Sequence, residues 1–531
     1  MTRRRNVLLI TTDQQRADHV GCYGNSIVKT PHIDRLAAGG RRFDRFYVAT
    51  PICMPNRATM MTGRMPSVHG LHCNGLPLHQ LANTMGELLR SAGYVTAAIG
   101  KVHLQNMTGR PAAMLRGPSD ASLTQPEERL SEAIVDRWRG GSYEQESLTN
   151  WRHRGHAVAT PYYGFDHVEL CTMHGDMVHG DYYHWLADRV ADADALRGPQ
   201  NALPDNRISV PQGYRTRVPE ELYPTRYVQD RSIAFLEKRE QDDAPFFLHC
   251  SFTDPHHPFT PPGRYWHMYD PARIPVPPTC GAPDKSHPVV RMIHELREQG
   301  RANTLGTTPF ATSPREVQEA IALTYGMITM IDDAVGAVLA TLDRLGLRDS
   351  TTVIFTSDHG DYMGDHGLML KASLHYDGLV RVPMIWNAPD VSAPGAATGS
   401  LCSALDLAPS ILAHVGLAGF WGMQGRSMLP VLADPAAHLH DAVLIEEDGH
   451  EPLPGLDGPL RTRTVITARH RLSIYDKIDH VDLFDLAADP GETQNLAGDP
   501  RHAEIQSAMF QNLSRRMMEL CDWSPFPTGR A

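Results

Sequence analysis

Residues Thr351–Asp361 read TTVIFTSDHGD. Val353, Ile354 and Phe355 form an unbroken apolar run that stops at Ser357 and gives way to Asp358, His359 and Gly360. A short apolar run without alternation, closed by a polar turn, is the pattern of a parallel strand buried on both faces. NVLLITTD (Asn6–Asp13), YVTAAIGK (Tyr94–Lys101) and PFFLHCSFTDP (Pro245–Pro255) repeat it. Ahead of the quoted stretch, Ser313-Pro314 opens a segment in which Val317, Ile321, Ile328, Ile331, Val335, Val338, Leu342 and Leu345 recur at mostly three- and four-residue steps until Gly346. That spacing, with a start and a stop signal, predicts an amphipathic helix. Strands alternating with helices predict an α/β fold on a mostly parallel sheet, with its chemistry at the carboxyl ends of the strands.

The chain has 531 residues, 41% hydrophobic and 21% charged, enough for a large core and a smaller second unit. Its formal charge of -11 excludes a general nucleic-acid binder, which needs surplus Lys and Arg to neutralise phosphates. Any anion it handles must meet local positive charge. Eight cysteines are scattered without a CxxC pair, so neither a disulfide framework nor a thiolate zinc site is expected. The start, MTRRRNVLLITTDQQ, has an apolar run only from Val7 to Ile10 with no small-residue cleavage site behind it, and no later stretch reads as a membrane span. A cytoplasmic protein with no membrane partner is the expectation.

Residues 105–240 are rich in Arg, His, Pro and Trp and weak in periodicity, and are expected to form an insertion over the active-site edge of a catalytic unit spanning 1–430. From 431 to 531 the pattern turns strand-like (AVLIEED, RTVITARHRLSIYD, HVDLFDL) and ends in a helix near 501–520. A small antiparallel subdomain with one helix is expected there.

The strand ends concentrate ionisable residues. Asp13 and Gln14 follow the first strand, Lys101 and His103 the second, His256 the third, and Asp358 and His359 the fourth. Each pair alone reads as a cap or turn. Four strand ends so furnished on one sheet edge point instead to a site, and its oxygen-rich part suits a hard divalent cation.

Cys53-Met54-Pro55-Asn56-Arg57 matches the C-x-P-x-R signature of the type I sulfatases, in the alkaline phosphatase superfamily. TPHIDRLAAGG before it, SDHGDYMGDHG later and LFDLAADPGETQNLA near the end also resemble sulfatase segments, in the expected order. The resemblance implies an alkaline phosphatase-like sheet flanked by helices, with a C-terminal antiparallel subdomain. It implies that Cys53 is oxidised by a formylglycine-generating enzyme, and that the aldehyde hydrate attacks sulfur. A thiol would leave an adduct that water must cleave at sulfur, whereas a gem-diol can expel sulfate by losing the proton of its second hydroxyl.

Carried to this sequence, the resemblance makes Asp13, Gln14, Asp358, His359 and the converted Cys53 ligands of one divalent cation, calcium favoured over manganese. Arg57 would hold the diol, and Lys101 and Lys371 would grip sulfate oxygens. His103 would take the proton of elimination and His256 would meet the leaving oxygen. Asn74, in LHCNG, matches a substrate-side amide, and also suits a turn before Gly75.

Two departures matter. Many arylsulfatases carry Asp-Asp and Asp-Asn where this chain has Asp13-Gln14 and Asp358-His359, a combination more like phosphonate monoester hydrolases and choline-sulfatase-like enzymes. Those phosphonate hydrolases tend to carry neutral hydroxyl side chains at the positions of Lys101 and His103. The expected function is therefore hydrolysis of small, aryl sulfate esters. The alternatives are phosphonate monoester or phosphodiester hydrolysis with the same nucleophile, and a non-catalytic anion-binding protein whose Cys53 stays a thiol. The expected partner is a small anionic ester, and a homodimer is the favoured assembly.

Overall fold

Leu8 and Ile10 face one side of the first strand and Val7 and Leu9 the other, and all four are fully buried. Burial on both sides explains why these runs do not alternate. In this computed structural model, which describes residues 5–529 apart from 111–121, 125–126, 128–140, 241, 282–286, 450 and 454–455, the four apolar runs are neighbours at the centre of one sheet. They are β1 (Asn6–Thr12), β3 (Val95–Gly100), β6 (Phe246–Ser251) and β7 (Thr351–Ser357). β2 is Arg41–Phe43, β4 His167–Thr172, β5 His179–Gly180, β8 Met384–Asn387 and β9 Ala397–Thr398. Among the described residues the sheet has nine strands in the order β9-β2-β8-β7-β1-β6-β3-β4-β5. β7, β1, β6, β3 and β4 are mutually parallel, and β8 and β5 run antiparallel to their inner neighbours.

Helices cover both faces. On one lie α1 (Pro31–Ala38), α3 (Pro224–Glu237) and α4 (Pro314–Arg344), which bury Ile33, Val228 and Val335 against Leu8, Ile10 and Phe355. On the other lies α2 (Cys53–Thr62), whose Met54, Ala58 and Met61 pack with Val7, Leu9 and Ile354. Each such fully buried aliphatic chain contributes about 1.5–3 kcal/mol. α4 starts at a capping box in which Ser313 and Glu316 satisfy each other's backbone amides. It is long and apolar enough to cross a membrane, contrary to the sequence expectation, but its apolar stretch is almost wholly buried against the sheet and α3. It is a core helix.

The 105–240 stretch is not only an insertion over the sheet. It supplies β4 and β5 to the sheet and α3 to its face. β4 escaped detection because only its second half is buried, so HVELCT lacks the apolar run of the central strands. Much of 111–140 lies outside the described residues.

The C-terminal sheet is antiparallel, in the order β10 (Ala442–Asp448), β11 (Arg461–Thr467), β12 (His470–Tyr475), β13 (Val481–Asp485). RTVITARHRLSIYD is thus two strands, folded at Ala468-Arg469. α5 (Ala503–Glu519) buries Met509 and Leu513 among Leu444, Val465 and Leu472 of this sheet.

Candidate active site

Cys53 is the first residue of α2, a helix buried along its whole length. Pro55 sits in the first turn, where its missing N–H breaks no helical hydrogen bond. The helix stops at Gly63, whose φ of 63° lets its N–H close on the Thr59 carbonyl. Its amino end, the positive end of the helix dipole, is turned to the carboxyl ends of β1 and β7. Cys53 Sγ lies 3.1 Å from His359 Nε2, 2.9 Å from Lys371 Nζ and 3.9 Å from Asp13 Oδ1.

Arg57, one turn on and on the same face, ties that helix to the central strand ends. Its Nε donates to Asp358 Oδ2 (2.7 Å), and Nη1 donates to the Lys101 carbonyl (2.8 Å) and Ser251 Oγ (2.9 Å). Nη2 stands 3.9 Å from Asp13 Oδ2. One buried guanidinium therefore reaches the ends of β1, β3, β6 and β7.

Asp13, Cys53, Asp358 and His359 place one ligand atom each within 4.8 Å of one another, all buried. His359 donates Nδ1–H to the Gly360 carbonyl (2.8 Å), which leaves Nε2 bare and facing the cluster. Gln14, at φ 63°, joins them through its amide: Nε2 is held by Asp361 Oδ2 and lies 3.1 Å from His257 Nδ1, so Oε1 faces inward, 3.3 Å from Lys371 Nζ. Two carboxylates, an amide oxygen, an imidazole and residue 53 fit a divalent cation.

Positive side chains flank the cluster. Lys371 Nζ meets Cys53 Sγ, His359 Nε2 (2.9 Å), His256 Nε2 (3.2 Å) and Gln14 Oε1. Lys101, fully buried, donates to Asp13 Oδ2 and to His174 Nε2 (2.8 Å). Gly100 permits this placement, because a Cβ there would lie 1.8 Å from the Ser251 carbonyl oxygen. Burial drives the Cys53 thiol up, but Lys101 and Lys371 pull it down to about 7. Burial also opposes ionisation of Asp13, and Lys101 with the neighbouring imidazoles holds it well below the usual carboxylate range. Lys371 is buried too, yet Cys53 and Asp13 raise it above the ordinary lysine value.

The histidines differ from one another. Burial and Lys371 work against a proton on His359, and Asp358 and Cys53 outweigh them, so its pKa rises. Burial and the nearby cations or imidazoles hold His103 and His256 well below the usual value. His103, at φ 56°, follows β3 in a loop whose amides at 103, 104 and 105 all donate to the Glu146 carboxylate. His256 donates Nδ1–H to the His257 carbonyl and turns Nε2 to Lys371. Asn74 Oδ1 accepts from Met54 N (3.3 Å), which places it at the amino end of α2.

The structure therefore gathers Asp13, Gln14, Cys53, Arg57, Lys101, His256, Asp358, His359 and Lys371 into one set of contacts, with His103 and Asn74 on adjoining loops. Sequence reasoning missed Asp361 and His257, which orient the Gln14 amide, and Glu146, which holds the His103 loop. It also missed His174, which follows β4 as the other site residues follow their strands; had HVELCT been read as a strand, the same rule would have found it.

Residues 5–417 match the family model described as sulfatase. The chain belongs to the sulfatase family. Residues 364–519 of this sulfatase also match a model described as the C-terminal region of N-sulphoglucosamine sulphohydrolase. The sulfatase is 29% identical over 559 residues to the multifunctional alkaline phosphatase superfamily protein PehA of Trinickia caryophylli, covering 99% of this chain and 98% of that one. It is 26% identical over 510 residues to an arylsulfatase of Clostridium perfringens, covering 94% and 91%. The crystal structure of a phosphonate monoester hydrolase of Agrobacterium radiobacter superposes with a TM-score of 0.74 at 24% identity, covering 98% and 96%, and shares its fold.

Proposed function

We propose that this sulfatase hydrolyses small aryl sulfate esters, with Cys53 converted to formylglycine and one divalent cation, calcium favoured over manganese, held by Asp13, Gln14, Asp358, His359 and residue 53. The observation that carries this is the position of Cys53: at a helix amino end, within contact of His359 and Lys371, with the Asp13 and Asp358 carboxylates beside it. The converted residue and the cation together supply an acidified hydroxyl as nucleophile and a second hydroxyl whose deprotonation releases sulfate.

The protein's own groups do the rest. Arg57 fixes Asp358 and the turn after β3, so that donors from separate strands keep one geometry. Lys101 and Lys371 present ammonium groups from two sides to sulfate oxygens, in a buried setting that strengthens each contact. His256, its Nδ1–H tied to a carbonyl, turns Nε2 to Lys371 as an acceptor, and it is in its protonated form, with the anionic ester bound, that this nitrogen would donate to the leaving oxygen. His103, neutral through burial and nearby cations, is suited to accept the proton lost in elimination.

A second activity, on phosphonate monoesters or phosphodiesters, is supported by the inward-facing Gln14 Oε1. An amide there in place of a carboxylate leaves the site less negative. The relative PehA, described as multifunctional, fits that breadth.

The test is Cys53→Ala. It should abolish aryl sulfate turnover while the peptide of the parent protein carrying residue 53 shows the aldehyde mass. Retained activity in the alanine variant, or an unmodified thiol in fully active protein, refutes the proposal. A cytoplasmic setting, a homodimer and a maturation enzyme acting on Cys53 belong to the same proposal.

A further inference from the structure

His174 stands where β4 ends, two residues beyond Thr172, with Met173 between them in the left-handed region at φ 65°. Its side chain is 15% exposed. Nε2 lies 2.8 Å from Lys101 Nζ and 3.5 Å from Asp13 Oδ2. A lysine ammonium only donates, so Nε2 is the acceptor, and the ammonium bridges histidine and carboxylate. The ring lies flat on His256, with centroids 3.6 Å apart and planes 10° apart, and His256 lies on His257 at 4.0 Å and 29°. Three imidazoles thus form a stack from Lys101 at one end to Gln14 at the other. Asp13, His174 and His256 also bring ligand atoms within 4.8 Å of one another, but the Lys101 ammonium already lies on the first two, which makes them its acceptors.

We propose that His174 is a positioning residue of the sulfate-ester site, holding the Lys101 ammonium through Nε2 and the His256 ring through stacking. Of the three Lys101 hydrogens, one goes to Asp13 and one to His174, so the third is aimed in a single direction. Without His174 the ammonium is free to turn, and its contact with the transferred group is no longer preorganised. The stack fixes the plane of His256 and hence the direction of Nε2, the nitrogen that in its protonated form would donate to the leaving oxygen. His174 therefore acts on two different parts of the transition state through two different neighbours. This rests on the sulfate-ester function proposed above.

Two substitutions separate the parts. His174→Phe keeps a ring on His256 and removes the acceptor. It should lower kcat and kcat/KM for 4-nitrophenyl sulfate together by about ten- to a hundredfold, the size of a lost hydrogen bond to a charged group. Its dependence on the pKa of the departing phenol should match that of the parent enzyme. His174→Gln offers Oε1 to Lys101 without the stack. It should recover most of that loss with 4-nitrophenyl sulfate and show a steeper dependence on phenol pKa across a series of aryl sulfates. In a Lys101→Met background, His174→Phe should cost little further, because the two act through one contact.

Equal losses for Phe and Gln with an unchanged phenol dependence, an unaffected Phe variant, or the full Phe loss in the Lys101→Met background would each overturn the proposal. If the parent enzyme turns over aryl phosphonate monoesters and not sulfates, the function proposal fails, and the same cycle with the phosphonate still decides whether His174 acts through Lys101.

Discussion

Lys371 Nζ lies 2.9 Å from Cys53 Sγ and 2.9 Å from His359 Nε2. One ammonium thus touches both the nucleophile position and a cation ligand. In protein prepared without maturation and without cation, Cys53 is a thiol held near 7 by Lys101 and Lys371 against the effect of burial. Its alkylation rate should therefore reach half of its plateau at about pH 7. Lys371→Met removes one stabilising charge from the thiolate, so the midpoint should move up, by about one pH unit or more. Iodoacetamide kinetics across pH 5–10 measure this, and an unmoved or lowered midpoint contradicts it.

Arg57→Lys should be damaging although charge is kept. The guanidinium makes three hydrogen bonds in different directions, to Asp358, Ser251 and the Lys101 carbonyl, and an ammonium on a shorter chain cannot reach all three. Leaving a buried carboxylate poorly paired costs about 3–5 kcal/mol. The variant should unfold at lower denaturant and lose turnover by about two orders of magnitude. Stability and kcat within twofold of the parent would show that the four strand ends do not depend on it.

Asp254, at the end of β6, is fully buried, and Thr225 donates to its Oδ2 at 2.9 Å. Burial pushes its carboxyl up to about 7. The unfolded chain releases that proton near pH 4. Between the two values the native state holds a proton the unfolded state has lost, so stability falls as pH rises through this window. Asp254→Asn should flatten the fall in thermal midpoint between about pH 4 and 7 relative to the parent. Identical slopes in both proteins would contradict a neutral Asp254.

Lys101 and His103 should mark the preferred ester. Sulfuryl transfer builds charge on the bridging oxygen, and release of sulfate then needs a proton acceptor at the second hydroxyl, which a neutral imidazole supplies. Lys101→Tyr with His103→Thr should lower sulfate turnover strongly and phosphonate monoester turnover much less. Equal losses in parallel assays of the two substrates would show that this pair does not set the preference.

What was legible in the sequence follows burial. β1, β3, β6 and β7 are covered on both faces and read as mainly apolar runs without alternation, and α4 announced itself through Ser313-Pro314 and its three- and four-residue steps. The edge was opaque: His167, Val168 and Glu169 of β4 are only partly buried, so the strand has no apolar signature and His174 beyond it went unread. Glu146 was invisible for another reason, since it acts on the backbone amides of residues 103–105, which leave no side-chain pattern. Asp361 lay within SDHGD, but its hold on Gln14 spans 347 positions and only the fold reveals it.

The most direct test of the sulfate-ester assignment is the ratio of kcat/KM for matched aryl sulfate and aryl phosphonate monoester substrates, measured on one preparation loaded with calcium and with residue 53 converted. With Lys101 and His103 in place, the sulfate should be favoured by about tenfold or more, equivalent to ~1.4 kcal/mol of transition-state stabilisation. A ratio of one, or a preference for the phosphonate, would contradict it.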